Sequence, residues 1–130
     1  MLKKHKYFLP SYLFAALIFV GASISTSELH RIQRIHEIFG LFFSEYSLHF
    51  FGFGVFAVLV AWGYYKTRSF SIILKAGLVS FCFGFLIEVY QGFLSYRDFS
   101  LVDVSVDGAG VAAALLVFWF VVLKKHLFGL

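Results

Sequence analysis

Residues 76–96 read AGLVSFCFGFLIEVYQGFLSY, a run of 21 positions in which Glu88 is the single charged side chain. About 20 helical residues cross the ~30 Å hydrocarbon core of a bilayer. A helix pairs its own backbone N–H and C=O groups in lipid, whereas an isolated strand leaves them bare. This stretch therefore reads as a transmembrane helix with one carboxylate inside it. Outward from it the pattern recurs. Residues 7–27 contain no Asp, Glu, Lys or Arg, residues 46–65 are interrupted only by the titratable His49, and residues 104–123 only by Asp107. The expected fold is an all-α integral membrane protein, one domain over 1–130, with four transmembrane helices at about 8–25, 48–65, 73–94 and 104–123.

Composition agrees. The chain is 61% hydrophobic and 14% charged, against about 25% charged residues in soluble domains. Its 19 Phe residues would leave large apolar patches on a water-exposed globule. A single Cys excludes an internal disulfide framework, and no Cys/His pairing has zinc spacing, so neither a metal nor a cofactor is expected. The net charge of +4 is a topology signal, with no clustered basic face for nucleic acid.

Orientation follows from where the cations fall. Lys3, Lys4 and Lys6 precede the first span, Lys66, Arg68 and Lys75 surround the loop after the second, and Lys124 and Lys125 follow the fourth. The opposite side holds Arg31, Arg34 and Arg97. The positive-inside rule places both termini in the cytoplasm of a multi-pass protein of the cell membrane. The first span also imitates a secretory signal peptide, with basic residues before an apolar run and Ala22-Ser23-Ile24-Ser25 after it, but its uncharged stretch is long for a signal core.

Between the first two spans, Leu29, Ile32, Ile35, Phe39 and Phe42 recur at steps of three and four, while His30, Arg31, Gln33, Arg34 and Glu37 take the other face. Ser25 and Glu28 stand at capping-box spacing. The expectation is an amphipathic helix over residues 28–43 on the outer membrane surface, or packed over the bundle mouth.

Polar residues gather at one depth. His49 opens the second span, Glu88 and Gln91 lie in the outer half of the third, and Asp103 and Asp107 open the fourth. A carboxylate deep in a span is costly and should face the bundle with a partner. Arg97, in the loop between the last two spans, is the expected counter-charge for Glu88, with His49 as second candidate. Gly77 and Gly84 extend the Glu88 face, and Gly110 and Ala114 extend the Asp107 face, which suggests close contact of these two helices below a polar outer pocket.

The ordered pattern His49-Phe50, Glu88-Val89-Tyr90-Gln91, Tyr96-Arg97, Asp103 and Asp107-Gly108-Ala109-Gly110 resembles the VanZ-like membrane family over about residues 45–120. That family looks like a His-Phe pair opening one span, Glu-x-x-Gln closing the next, an Arg, then Asp-x-x-x-Asn-x-x-Gly. Here Asp107 stands where the Asn is usual, and Tyr46 where a Lys precedes the His, with Glu45 keeping the acidic position beside it. The resemblance implies a cell-envelope protein, with the founding member linked to resistance to the glycopeptide teicoplanin, and implies no known reaction.

The expected function is a pocket facing the outer leaflet, with His49, Glu88, Gln91, Arg97, Asp103 and Asp107 as ligand-binding residues for a lipid head group, a lipid-linked wall precursor or an amphipathic glycopeptide-type antibiotic. Two alternatives stand beside it: an integral membrane enzyme acting on a lipid-linked substrate, and a structural polar lock that fixes helix register. No activated nucleophile accompanies Glu88, since Cys82 lies off its face and Ser105 points away from both Asp residues. The Asp103/Asp107 pair lacks the remaining motif of metal-dependent lipid phosphotransferases. Membrane lipids are the expected partners. Four short spans make a thin bundle, compatible with a homo-oligomer.

Overall fold

The computed structural model describes residues 2–35, 44–69 and 71–123. Every regular element among them is helical: α1 (Leu2–His5), α2 (Leu9–Ala22), α3 (Thr26–Ile35), α4 (Glu45–Lys66), α5 (Ile72–Gly92) and α6 (Leu101–Phe118), the last continuing into a π-helical turn, Trp119–Leu123. Three stretches are long and apolar enough to cross a membrane: Glu45–Lys66, Ile72–Gly92 and Leu101–Val122. At 1.5 Å per residue these reach about 31–33 Å. The stretch expected as a first span is the shorter α2, of 14 residues, which reaches only about 21 Å.

Local signals account for the helix ends. Pro10 sits in the first turn of α2, where its missing N–H removes no helical bond. Ser44 caps α4 by accepting the Ser47 N–H at 3.1 Å, and Ser100 caps α6 by accepting the Asp103 N–H at 3.2 Å. Ser25 accepts the Glu28 N–H at 3.3 Å at the start of α3, the first half of the capping box expected there. Glu28, His30, Arg31 and Arg34 are exposed on α3. The remainder of the amphipathic helix expected over 28–43 falls at residues 36–43, outside the described residues. The α4–α5 turn is tightened by two left-handed residues, Arg68 (φ 52°) and Ser71 (φ 55°).

The core sits on α4, which packs on α6 and α5, with α2 laid against α4 and α5. Phe53, Phe56, Ala57, Val60 and Ala61 are its buried face, meeting Ala76 and Ile87 of α5 and Val111, Leu115 and Phe118 of α6. Large apolar side chains cover the outside: Leu13, Leu17, Phe51, Leu74, Leu86 and Leu116 are all more than half exposed. Such an exterior suits lipid and not water.

The small residues divide their work differently from the sequence expectation. Gly110 of α6 lies against the Phe50 carbonyl of α4, where any Cβ would collide, and a Cβ on Gly54 would stand 3.2 Å from the Gly110 carbonyl and 3.4 Å from Ala114. Gly110 and Ala114 thus serve α4, while Gly84 of α5 lies under Asp107, whose Oδ2 would be 3.0 Å from a Cβ there. The reason is that α6 has two neighbours in the core: it turns Gly110 and Ala114 to α4 and Gly108 to Phe81 of α5.

α2 is pinned at each end. The Phe8 ring fits against Gly63 and meets Tyr64 edge-on, with ring centroids 5.1 Å apart. At the other end Phe19 meets Tyr90 at 4.8 Å. α2 therefore runs antiparallel to α4.

Candidate functional site

The polar residues converge where α4 begins, α5 ends and α6 begins. Glu88 and Asp107 are 0% and 1% exposed, and His49, Gln91 and Asp103 are also buried. His49 lies one turn into α4, with its ring stacked near Phe53. Its Nδ1 stands 2.9 Å from Asp107 Oδ1 and 3.8 Å from Glu88 Oε1. One imidazole thus bridges carboxylates from two other helices.

Glu88 has a second partner, since its Oε2 accepts the Ser100 N–H at 3.2 Å. Ser100 is the N-cap of α6, so the carboxylate lies under a helix N-terminus, where negative charge is favoured. Ser100 does two jobs, one with its hydroxyl and one with its backbone. The sequence signal for it was the Ser100-x-x-Asp103 cap spacing, which marks the start of α6 but carries no information about Glu88.

One expected pairing changes. Arg97 reaches Glu45, its Nη1 donating to Oε1 at 2.6 Å, and does not pair with Glu88, whose partners are His49 and Ser100. The physical reason is that Glu88 lies beneath the start of α6, while Glu45 opens α4 at the rim and is 35% exposed. The Arg97 side chain is itself only 8% exposed, and a guanidinium so buried needs a paired carboxylate, which Glu45 supplies. Gln91 turns away from the acids as well, its Nε2 donating to the Ala22 carbonyl of α2 at 3.2 Å.

Gln91 belongs to a second cluster that the sequence did not disclose. Tyr96 donates to the Ser23 carbonyl at 2.9 Å, and the Tyr90 and Ser23 hydroxyls are 3.0 Å apart. These side chains satisfy groups at the C-terminal end of α2, whose last carbonyls have no helical partner. The available signal was the absence of a Gly or a basic residue where α2 ends.

A cavity of about 240 Å³ opens between α2, α4 and α5. Leu17, Ile18, Leu48 and Ile87 are among its apolar lining residues, and Glu45, His49, Gln91 and Arg97 are its charged and polar ones. Cys82 and Ser105 are exposed on the outer faces, with the Ser105 hydroxyl bonded to the Leu101 carbonyl. Ligand-capable atoms of His49, Glu88 and Asp107 lie within 4.8 Å of one another, as do those of Glu45, His49 and Asp103. Of the six expected site residues, the structure gathers all at one end of the bundle: His49, Glu88, Asp103 and Asp107 in an acidic core, Gln91 and Arg97 along the adjoining cavity. Glu45 and Ser100 join them. No family model matches the chain, and neither a curated protein nor a solved structure matches it.

Proposed function

We propose that this is a four-span, VanZ-like protein of the cell membrane that holds a lipid head group in the cavity beside His49 and Arg97, at the depth of the outer leaflet. The observation that carries this reading is the cavity's lining, mostly aliphatic side chains of α2, α4 and α5 with Glu45, His49, Gln91 and Arg97 among them. Such a mixed lining matches an amphipathic ligand whose methylenes meet the aliphatic side chains while its head meets charge. Arg97 suits a phosphate by its forked donors. At about 240 Å³ the cavity is below the ~300–1,000 Å³ usual for drug-sized ligands. A head group with its first methylenes, free or on a lipid-linked wall precursor, fits better than a whole glycopeptide.

Four spans and cytoplasmic termini are supported by the antiparallel seating of α2 and by the basic residues near its start. A short helix is accommodated by local thinning, at fractions of a kcal/mol per Å of mismatch. The exposed charges of α3 support its lying along the outer surface. A second reading, the polar lock, is favoured by one observation: His49–Asp107 and Glu88–Ser100 tie three helices together.

Native mass spectrometry of the chain released from phosphatidylglycerol/phosphatidylethanolamine nanodiscs separates the two. One retained lipid per chain is expected, lost in Arg97→Ala and in Gly21→Phe. Gly21 lines the cavity, and a Cβ there meets nothing within 4 Å, so the Phe ring fills the cavity without disturbing the bundle. Equal lipid retention by wild type and both variants would overturn the lipid reading and leave the lock.

A further inference from the structure

Three carboxylate oxygens in the acidic core accept no hydrogen bond from any described residue: Glu88 Oε1, Asp103 Oδ1 and Asp107 Oδ2. All three residues are more than nine-tenths buried. A buried polar atom without a partner costs about 1–3 kcal/mol, and more when charged. Here three of them, from two helices, stand around one imidazole. Among the described residues of this core, Glu45, Glu88, Asp103 and Asp107 stand with Arg97 and His49, so the cluster favours an added positive charge.

We propose that His49, Glu88 and Asp107 coordinate one divalent transition-metal cation, with Asp103 as the adjoining carboxylate. A cation held about 2.0–2.2 Å from nitrogen and oxygen ligands places neighbouring ligand atoms about 3.0–3.6 Å apart. The distances from His49 Nδ1, 2.9 Å to Asp107 and 3.8 Å to Glu88, bracket that range, and all three ligand atoms lie within 4.8 Å of one another, so side-chain shifts of up to about an ångström gather the set. Gly84 leaves the necessary room, since a Cβ there would press on Asp107 Oδ2 at 3.0 Å. On binding, the His49 Nδ1 lone pair goes to the metal in place of its contact with Asp107, and a proton carried there is released.

The donor set indicates the class. One imidazole with two or three carboxylates suits Mn²⁺, Fe²⁺ or Zn²⁺, whereas Ca²⁺ and Mg²⁺ take oxygen ligands alone. Soft-metal chemistry lacks a thiolate, as Cys82 lies on the outer face. The sequence expectation of no metal rested on ligand spacing along the chain, whereas these ligands come singly from three helices. The inference stands apart from the lipid reading, since it needs no occupant in the cavity.

The test uses the full chain in detergent, stripped with chelator and titrated with Mn²⁺ and with Zn²⁺. One ion per chain is expected after desalting, and the Mn²⁺ form should show ¹⁴N modulation from one imidazole in pulsed EPR. Loss of a residue that merely orients a ligand costs about 10–100-fold in affinity, so Glu88→Gln, Asp107→Asn and His49→Gln should each cost at least that. The exposed His5→Gln change should leave binding intact. Wild-type protein that retains no ion, or whose bound Mn²⁺ shows no nitrogen coupling, would overturn the proposal without any variant having to fold. Retention of Ca²⁺ or Mg²⁺ in preference to Mn²⁺ and Zn²⁺ would also overturn it.

Discussion

A carboxylate costs roughly 2.5–3.5 kcal/mol at the bilayer centre, an upper bound for Glu88, which lies about one turn from the end of α5. Against this stand the Ser100 N–H bond, worth about 1.5–3 kcal/mol to a charged acceptor, and the N-terminus of α6, which adds about 0.3–1 kcal/mol. The favourable side matches even that bound, so Glu88 is held in place without net cost. Glu88→Gln keeps an acceptor for Ser100 and deletes the charge, and should shift unfolding by no more than about 1 kcal/mol in either direction. Glu88→Leu strips Ser100 of its acceptor, and should destabilise by about 1–3 kcal/mol. Thermal unfolding in detergent checks both, and equal midpoints for Gln and Leu would show that the Ser100 bond contributes nothing. Helical spacing made the meeting of His49, Glu88 and Asp107 legible, because each sits about one or two turns from the same end of the bundle. It could not reveal the path of residues 93–100. That path decides that Arg97 goes to Glu45, that Tyr96 reaches α2 and that the Ser100 N–H lies over Glu88.

The uncharged stretches located the three long helices but trimmed two of their starts. α4 begins at Glu45 and α6 at Leu101, ahead of the starts expected at 48 and 104. Both openings carry an acid in the first turn, Glu45 and Asp103. The helix macrodipole favours a carboxylate there, so a charge that ends an apolar run can still lie inside the helix. The capping serines, Ser44 and Ser100, are the better markers. Between elements, the tightest joint is α4 on α6, where Gly110 admits the Phe50 backbone. Backbone cannot rotate aside as a side chain does, so Gly110→Ala must push the helices apart, at about 1–3 kcal/mol by the usual cost of overpacking. Gly52→Ala, on α4 with no atom within 4 Å of the new Cβ, should be neutral or slightly stabilising. Unfolding midpoints of the pair measure the joint, and a Gly110→Ala protein as stable as Gly52→Ala would mean that α4 and α6 are not held this closely.

Seen whole, the molecule has an acidic end and a basic end. At the basic end Lys66 lies over the Trp62 ring at 4.5 Å and Lys75 over Tyr64 at 5.9 Å, in the manner of aromatic and cationic side chains at a membrane interface. α2 joins this arrangement because Phe8 docks at Gly63, near the Lys66 end of α4, while Ser23 meets Tyr90 at the acidic end. A helix seated antiparallel along α4, with Lys4 and Lys6 before it, should cross in register with the other three even though it is short. Accessibility of single cysteines, placed in a Cys82→Ser background, tests this directly in intact cells. Cysteine at Asp98 should react with a membrane-impermeant maleimide added outside. Cysteines at Lys6 and Ser69 should react only after the membrane is opened. Reaction of the Ser69 cysteine from outside, with Asp98 protected, would invert the molecule and turn the acidic core toward the cytoplasm. Opposite behaviour of Lys6 and Ser69 would mean that α2 does not cross, leaving three spans. In that event its contacts with Tyr90, Gln91 and Tyr96 would have to form without a crossing, and they are the very bonds that close one wall of the cavity. The topology and the site therefore stand on the same residues, and a single set of labelling reactions bears on both.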